Sequence, residues 1–128
     1  MLFRSKLVYA RATASGKRAL AMGSAKNHLI VVPDADPEIT AKNVVASATG
    51  CAGQRCMAAS VLVLVGDTGN MLDLIVDEAK KLKAGTEIGS VISPAAKERI
   101  EGYISRAEKS GCKILVDGRN VKIGRAHV

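Results

Sequence analysis

One short segment, residues 61–65 (Val-Leu-Val-Leu-Val), limits the folds open to this chain more than any other. Successive side chains of a strand point to opposite faces, so an apolar residue at every position predicts burial of both faces. Such burial is typical of a parallel sheet that has helices packed on either side. Gly66 and Asp67 follow as a turn. We therefore predict a central strand within an α/β fold.

The remaining sequence alternates between strand and helix patterns, as an α/β chain should. Residues 28–32 (His-Leu-Ile-Val-Val) and 113–116 (Lys-Ile-Leu-Val) are further apolar runs that we predict to be strands. Residues 8–14 are predicted to end a helix that stops at Gly16. Three more helices are predicted because apolar residues recur every three or four positions and so share one buried face. These stripes are Ala41, Val44, Val45 and Ala48; Leu72, Ile75, Val76, Ala79 and Leu82; and Ile100, Tyr103, Ile104 and Ala107.

The predicted helix ends carry residues that suit them. Asp36 and Ser93 can each cap a helix with a side-chain oxygen, and a proline follows each of them, where a missing N–H costs nothing. Gly50 and Gly53 are predicted to end the helix that Asp36 caps, and Gly111 is predicted to end the helix that Ser93 caps. The loop that begins at Gly50 therefore leads towards the central strand.

The charge of the chain suggests a second class of function. The formal net charge is +7, from 19 Lys and Arg against 12 Asp and Glu. Proteins that bind nucleic acid typically have clustered positive charge and aromatic residues for base stacking. In this chain the basic residues are scattered, and aromatic residues make up 2% of the sequence. We favour a solvated surface and expect no nucleic-acid partner. A small basic binding protein without catalysis is the alternative, and steeply salt-sensitive binding would identify it.

The three cysteines, Cys51, Cys56 and Cys112, indicate neither a metal site nor a disulfide scaffold. They form no Cys-x-x-Cys pair, the two histidines lie far apart, and an odd cysteine count is atypical of secreted disulfide frameworks. No apolar run approaches the roughly 20 residues of a membrane helix, and we find no convincing signal peptide. We expect a cytoplasmic protein (mitochondrial in a eukaryote) without a metal or a membrane partner.

Cys56 is the candidate catalytic residue. It lies within residues 53–58 (Gly-Gln-Arg-Cys-Met-Ala), between a glycine-ended helix and a buried strand, where enzymes often hold reactive groups. Arg55 beside it would favour the nucleophilic thiolate. On these grounds alone, a buried and packed cysteine is the commoner alternative.

Two motifs change this interpretation. Residues 53–56 (Gly-Gln-Arg-Cys) resemble the active-site cysteine motif of the aldehyde dehydrogenase superfamily, and the upstream residues 22–28 (Met-Gly-Ser-Ala-Lys-Asn-His) resemble its Glu-Leu-Gly-Gly-Lys segment. Residues 33–36 (Pro-Asp-Ala-Asp) follow at the expected place. Both motifs are most similar to the CoA-acylating methylmalonate-semialdehyde dehydrogenase group, the enzymes of valine and inositol breakdown. The resemblance extends over residues 9–121.

The resemblance implies that the chain is an internal fragment of the aldehyde dehydrogenase fold. Residues 1–21 would be the tail of the NAD-binding domain, and residues 22–121 the first part of the catalytic thiol domain. The parent protein is expected to be a homo-oligomer, and the fragment by itself to be inactive. Residues 1–5 and 122–128 resemble translated DNA-sequencing adapter. We hypothesise that these two ends are foreign, which resequencing of the source locus would test.

Met22 departs from the general family pattern in a way that bears on the reaction. It occupies the position of the glutamate that activates water in hydrolytic members, and methionine cannot act as a general base. Without that base the enzyme needs a better nucleophile than water, such as the thiol of CoA. The resemblance therefore implies NAD as the cofactor and CoA as the acyl acceptor. Two alternatives are an ordinary aldehyde dehydrogenase that forms a free acid and a simple packing role for Met22.

The resemblance also implies roles for individual residues. Cys56 would attack the aldehyde carbon of a small-molecule substrate, hold its oxyanion with the backbone N–H and carry the acyl group as a thioester. Arg55 would bind the carboxylate of malonate or methylmalonate semialdehyde, with a structural ion pair or a solvent-facing charge as the alternative. Gly23 would lie at the nicotinamide end of NAD. The residues expected to be packing or structural residues are Cys51, Cys112 and His28.

Overall fold

The computed structural model describes residues 2–23 and 25–119. Its elements are α1 (Leu2–Ala14), β1 (Asn27–Val31), α2 (Pro37–Thr49), a 3-10 turn (Gly50–Gly53), β2 (Ala59–Leu64), α3 (Met71–Lys81) and α4 (Pro94–Lys109). The two strands pair in parallel, and α2 forms the crossover between them. The predicted α/β class is thus confirmed. The predicted foreign tail, residues 122–128, lies outside the described residues.

The two strands form the frame on which the cysteine loop is held. Val31 lies opposite Leu64, while Asn27 lies opposite Ala59 across a break in the register. The strands predicted at residues 28–32 and 61–65 are confirmed, with ends displaced by one or two residues. The described part of the sheet has two strands, so β2 has a neighbouring strand on one side only. Val63 in this strand is 37% exposed. The prediction of a central strand with both faces buried was therefore wrong for the described residues.

A small hydrophobic core lies between the sheet, α2 and α3. Its buried members are Val31, Ala41, Val44, Val45, Met71 and Ile75. The stripe predicted for α2 is confirmed, with Ala48 half-buried at its end. In α3 the stripe begins one residue earlier than predicted, because Met71 is 2% exposed whereas Leu72 is 42% exposed. Adjacent helical residues point about 100° apart, so a buried face centred on Met71 turns the side chain of Leu72 to its margin.

Both predicted helix caps are confirmed. The Oδ1 atom of Asp36 accepts a hydrogen bond from the Ile39 N–H at 2.8 Å, and the Oγ atom of Ser93 accepts one from the Ala96 N–H at 3.2 Å. Each cap is followed by proline at the start of its helix, as predicted. Gly111 follows α4 with a φ of 89°, the left-handed conformation that ends many helices.

The predictions for the last part of the chain were partly wrong. Residues 113–116 form no strand, because no described strand lies beside them to complete a ladder. The stripe predicted for α4 is only partly covered: Tyr103 is 62% exposed and Ile100 is exposed, whereas Ile104 and Ala107 are half-buried. Among the described helices and strands, none makes an extensive contact with α4. Within the described residues, no helix is long and apolar enough to cross a membrane.

A charged cluster holds the segment after α4 against that helix. The guanidinium of Arg119 donates hydrogen bonds to the carboxylates of Asp117 and Glu108, at 2.6 and 3.0 Å, and to the hydroxyl of Ser105 at 3.3 Å. The side-chain and backbone N–H groups of Arg119 lower the pKa of Asp117 to about 2. The cluster stands in place of the strand pairing that was predicted for this segment.

Candidate active site

A sharp turn after α2 leads into the cysteine loop. Cys51 and Ala52 have φ values of 52° and 53°, and Gly53 has a φ of 71°. The left-handed conformation costs an ordinary residue roughly 1–2 kcal/mol. The Gln54 N–H donates to the Cys51 carbonyl at 3.0 Å and closes the turn. Cys51 is exposed, so the expectation that it is a packing residue was wrong: the turn carries its side chain away from the core.

The side chain of Gln54 ties this loop to the segment that precedes α4. Its Nε2 atom donates hydrogen bonds to the carbonyls of Cys51, at 3.0 Å, and Ser90, at 3.2 Å. Its Oε1 atom accepts one from the Ile92 N–H at 2.9 Å. The amide therefore pairs with the backbone of residues 90–92 much as a strand would. Sequence reasoning missed this role because the partners lie 36 and 38 residues away.

Asn27 holds the other side of the loop. Its Nδ2 atom donates to the Cys56 carbonyl at 2.7 Å and to the Ala58 carbonyl at 3.1 Å. The Arg55 carbonyl accepts a hydrogen bond from the Ala58 N–H at 3.2 Å, which closes residues 55–58 into a turn. The break in strand register places Asn27 where its amide reaches past the end of the ladder. The available signal was the motif at residues 22–28, which contains Asn27.

Cys56 and Arg55 lie side by side in an open depression. The depression is lined by Ala46, Ser47, Arg55, Cys56 and Met57. Cys56 is exposed, which excludes the buried and packed alternative. Arg55 Nη2 donates to the Ala46 carbonyl at 3.2 Å, so its guanidinium folds back over the end of α2 and forms none of the described ion pairs. The site therefore combines an accessible thiol with a neighbouring fixed cation.

The backbone N–H of Cys56 is available to a bound molecule. Among the hydrogen bonds of the described residues, none is donated by this N–H. It belongs to the same peptide unit as the Arg55 carbonyl, which points into the turn towards Ala58. In a trans peptide the N–H and C=O groups point in opposite directions. The Cys56 N–H consequently points out of the turn.

Gly23 lies in a different depression from Cys56. That depression is lined by Ser5, Lys6, Tyr9, Ala21 and Gly23, which brings α1 beside the segment that leads to β1. A Cβ atom built on Gly23 would meet Ser5 Oγ at 4.0 Å and no other described atom within that distance. The space beside Gly23 is thus open enough for a cofactor to approach the backbone. Met22 next to it is 72% exposed, so the packing alternative for this residue was wrong within the described chain.

The two remaining candidates have no partner in either depression. His28 is exposed, and its Nδ1 atom lies 2.9 Å from the Lys26 carbonyl, a local contact that agrees with a structural role. Cys112 is exposed rather than packed, because the strand that was to bury it does not form. No group of three potential metal ligands occurs among residues 2–23 and 25–119.

Comparison with known proteins gives a consistent result. The model of the aldehyde dehydrogenase family matches residues 5–127. The mitochondrial, acylating methylmalonate-semialdehyde/malonate-semialdehyde dehydrogenase of Mus musculus is 43% identical over 122 residues, which is 91% of this chain and 23% of that protein. The chain spans about a quarter of the length of the curated relatives it matches.

Two solved structures resemble the fold. Methylmalonate-semialdehyde dehydrogenase from Oceanimonas doudoroffii superposes with a TM-score of 0.75 at 40% identity, over 94% of this chain and 26% of that one. The 1-pyrroline-5-carboxylate dehydrogenase from Thermus, solved with bound NAD, has a TM-score of 0.68 at 31% identity, over 84% of this chain and 23% of its own. The likeness therefore extends over nearly all of this chain and a minor part of each neighbour.

Proposed function

Because the chain belongs to the aldehyde dehydrogenase family, we propose that it carries the nucleophile of an NAD-dependent, CoA-acylating oxidation of malonate or methylmalonate semialdehyde. The observation that carries the proposal is the shared depression of Cys56 and Arg55. Capture of an aldehyde that bears a carboxylate needs an accessible thiol and a cation at a fixed position beside it. The mouse relative, whose name specifies this substrate pair and acyl transfer, supports the same assignment.

The first chemical step is assigned to the cysteine loop. The thiolate of Cys56 attacks the aldehyde carbon, a C–S bond forms, and the carbonyl oxygen becomes an oxyanion. The outward-pointing Cys56 N–H is the donor available to that oxyanion. The hydrogen bonds from Asn27 hold the carbonyls on either side of Met57 and so keep the turn in place. Arg55 binds the substrate carboxylate.

NAD supplies the acceptor for the hydride that leaves the aldehyde carbon. We propose Gly23 as a contact for it, since the space beside that backbone is open. The oxidised acyl group remains on Cys56 Sγ as a thioester. The CoA thiolate then attacks the acyl carbon, the bond to Sγ breaks, and the Cys56 thiolate is restored. The substrate carboxylate leaves as CO2, and the carbon atom that carried it takes up a proton. Malonate semialdehyde thus gives acetyl-CoA, and methylmalonate semialdehyde gives propionyl-CoA.

Met22 favours CoA over water as the acceptor. Its side chain has no group that can take a proton from water, whereas the thiol of CoA is itself a good nucleophile. A family member that releases a free acid is the alternative, and it would require a general base elsewhere. We also propose that residues 1–21 end the NAD-binding domain and that residues 22–121 begin the catalytic domain.

The wider setting follows from the same assignment. We propose that the parent protein is a homo-oligomer that acts on small molecules in valine and inositol breakdown. We place it in the bacterial cytoplasm, or in the mitochondrion if the source is eukaryotic, as in the name of the mouse relative. Salt-sensitive binding to nucleic acid would instead support the small basic binding protein.

The experiment that tests the proposal follows NADH formation by the complete gene product. Methylmalonate semialdehyde is supplied with and without CoA, to the wild type, to Cys56→Ala, and to Cys112→Ala as a control that alters an exposed cysteine outside the depression. We expect CoA-dependent turnover that is lost in Cys56→Ala and kept in Cys112→Ala. Turnover that is equally fast with and without CoA would indicate the reaction that releases a free acid. Turnover that survives Cys56→Ala would refute the role of this thiol.

A further inference from the structure

The guanidinium of Arg55 lies at the C-terminal end of α2, in a position called its seat below. Its Nη2 atom donates to the Ala46 carbonyl, which belongs to the last turn of that helix. A helix C-terminus carries a partial negative charge of about half an electron, which attracts a cation placed there. One N–H of the guanidinium is thus held by the protein, while donors on Nε and Nη1 remain for a carboxylate.

The seat exists because residue 50 has no side chain. A Cβ atom built on Gly50 would lie 1.9 Å from Arg55 Nη2 and 2.5 Å from Arg55 Cζ, far inside any non-bonded contact. The backbone of Gly50 has φ −54° and ψ 131°, a conformation that alanine adopts without strain. The position therefore needs glycine to leave space for the guanidinium, and its backbone conformation makes no such demand.

We propose that Gly50 determines the selectivity for carboxylated aldehydes by fixing where the Arg55 guanidinium lies. The inference rests on the proposed function, because it assumes that Arg55 binds the substrate carboxylate. A methyl group at residue 50 would displace the flexible end of Arg55 from the seat. It would leave the hydrogen bonds of Asn27 and Gln54 untouched, since neither involves residue 50. Gly50 is thus a positioning residue that acts through Arg55.

The kinetic test compares malonate semialdehyde with propanal, a neutral aldehyde of similar size, in the complete gene product. For Gly50→Ala we expect the ratio of the two kcat/KM values to fall tenfold or more, with propanal turnover retained. Gly89→Ala is the matched control, because a Cβ atom there meets nothing within 4 Å. An unchanged ratio, or an equal loss with both aldehydes, would overturn the inference. Arg55→Ala separates the two claims, because a ratio that it leaves unchanged refutes the carboxylate site itself.

A second measurement needs neither cofactor nor turnover. Iodoacetate is anionic and iodoacetamide is neutral, so the ratio of their alkylation rates at Cys56 reports a nearby cation. Trypsin cleaves after lysine and arginine. Cys51, Cys56 and Cys112 therefore lie on three different peptides, residues 43–55, 56–80 and 110–113. We expect Gly50→Ala to lower this ratio at Cys56 and to leave it unchanged at Cys112. Equal ratios in wild type and variant at Cys56 would contradict the proposed seat.

Discussion

Replacement of Met71 by alanine should destabilise the chain far more than replacement of its neighbour Leu72. The two side chains are similar in size and lie in the first turn of the same helix, α3. Met71 is 2% exposed and packs in the core between α2 and the sheet, whereas Leu72 is 42% exposed. The pair therefore tests the position of the buried face of α3, which the apolar pattern alone had centred one residue too late.

The expected magnitudes follow from burial. Truncation of a buried methionine to alanine removes apolar contacts and leaves a cavity, at a cost of about 2–5 kcal/mol. Truncation at a fully exposed position costs up to about 0.5 kcal/mol, and the covered part of Leu72 raises this to about 1 kcal/mol. Domains are stable by about 5–15 kcal/mol, so Met71→Ala removes a large share of the total. Met71→Leu keeps the volume and should cost less than about 1.5 kcal/mol.

Urea unfolding of the chain, followed by helical circular dichroism, measures these differences. We expect the midpoint to fall in the order wild type, Leu72→Ala, Met71→Ala, with Met71→Leu close to the wild type. Loss of helical signal before any urea is added, in Met71→Ala and not in Leu72→Ala, would agree with the same argument. Equal midpoints for the two alanine variants, or a larger loss at Leu72, would refute the assigned core.

Two further predictions concern single contacts. Asn27→Ala removes two hydrogen bonds to the cysteine loop, each typically worth about 0.5–1.5 kcal/mol. In the complete gene product it should lower kcat more than it raises KM, because the loop no longer holds Cys56 in position. An effect on KM alone would contradict a positioning role for Asn27. Asp117 should titrate in NMR near its pKa of about 2 and return towards 3.8 in Arg119→Ala. Because folding lowers this pKa, the ion pair stabilises the folded state above about pH 4, and this stabilisation is lost as the pH falls towards 2. If Asp117 titrates near 3.8 in the wild type, the ion pair does not form in solution.

Local features of the fold could be predicted from sequence because neighbouring residues determine them. The caps at Asp36 and Ser93 depend on atoms three residues away, and both were predicted correctly. The errors concern burial, which depends on what packs from elsewhere. Residues 113–116 are apolar enough for a strand, yet no described strand lies beside them. The partly covered stripe of α4 has the same cause, since spacing identifies an apolar face but not its partner.

The same distinction applies to the candidate site. Cys56 and Arg55 were identified because a contiguous motif contains them. Asn27 and Gln54 were missed because the hydrogen bonds that connect them to distant segments join residues 29 or more positions apart. Gly50 was assigned only as a helix end, although the space that it leaves for a guanidinium five residues later is what distinguishes it. Such roles need the path of the chain in space, which composition and periodicity do not contain.

Position and stability are supplied by different residues in this chain, and the two can therefore be perturbed separately. The cysteine loop is held by polar contacts from Asn27, Gln54 and the end of α2, all at its margins. The core that stabilises the sheet is apolar and includes none of these side chains. Gly50→Ala should therefore change the substrate selectivity of the complete gene product without shifting the urea midpoint of the chain. Met71→Ala should shift the midpoint without changing the selectivity of the molecules that remain folded. A change in both properties by either variant would show that the loop and the core are coupled.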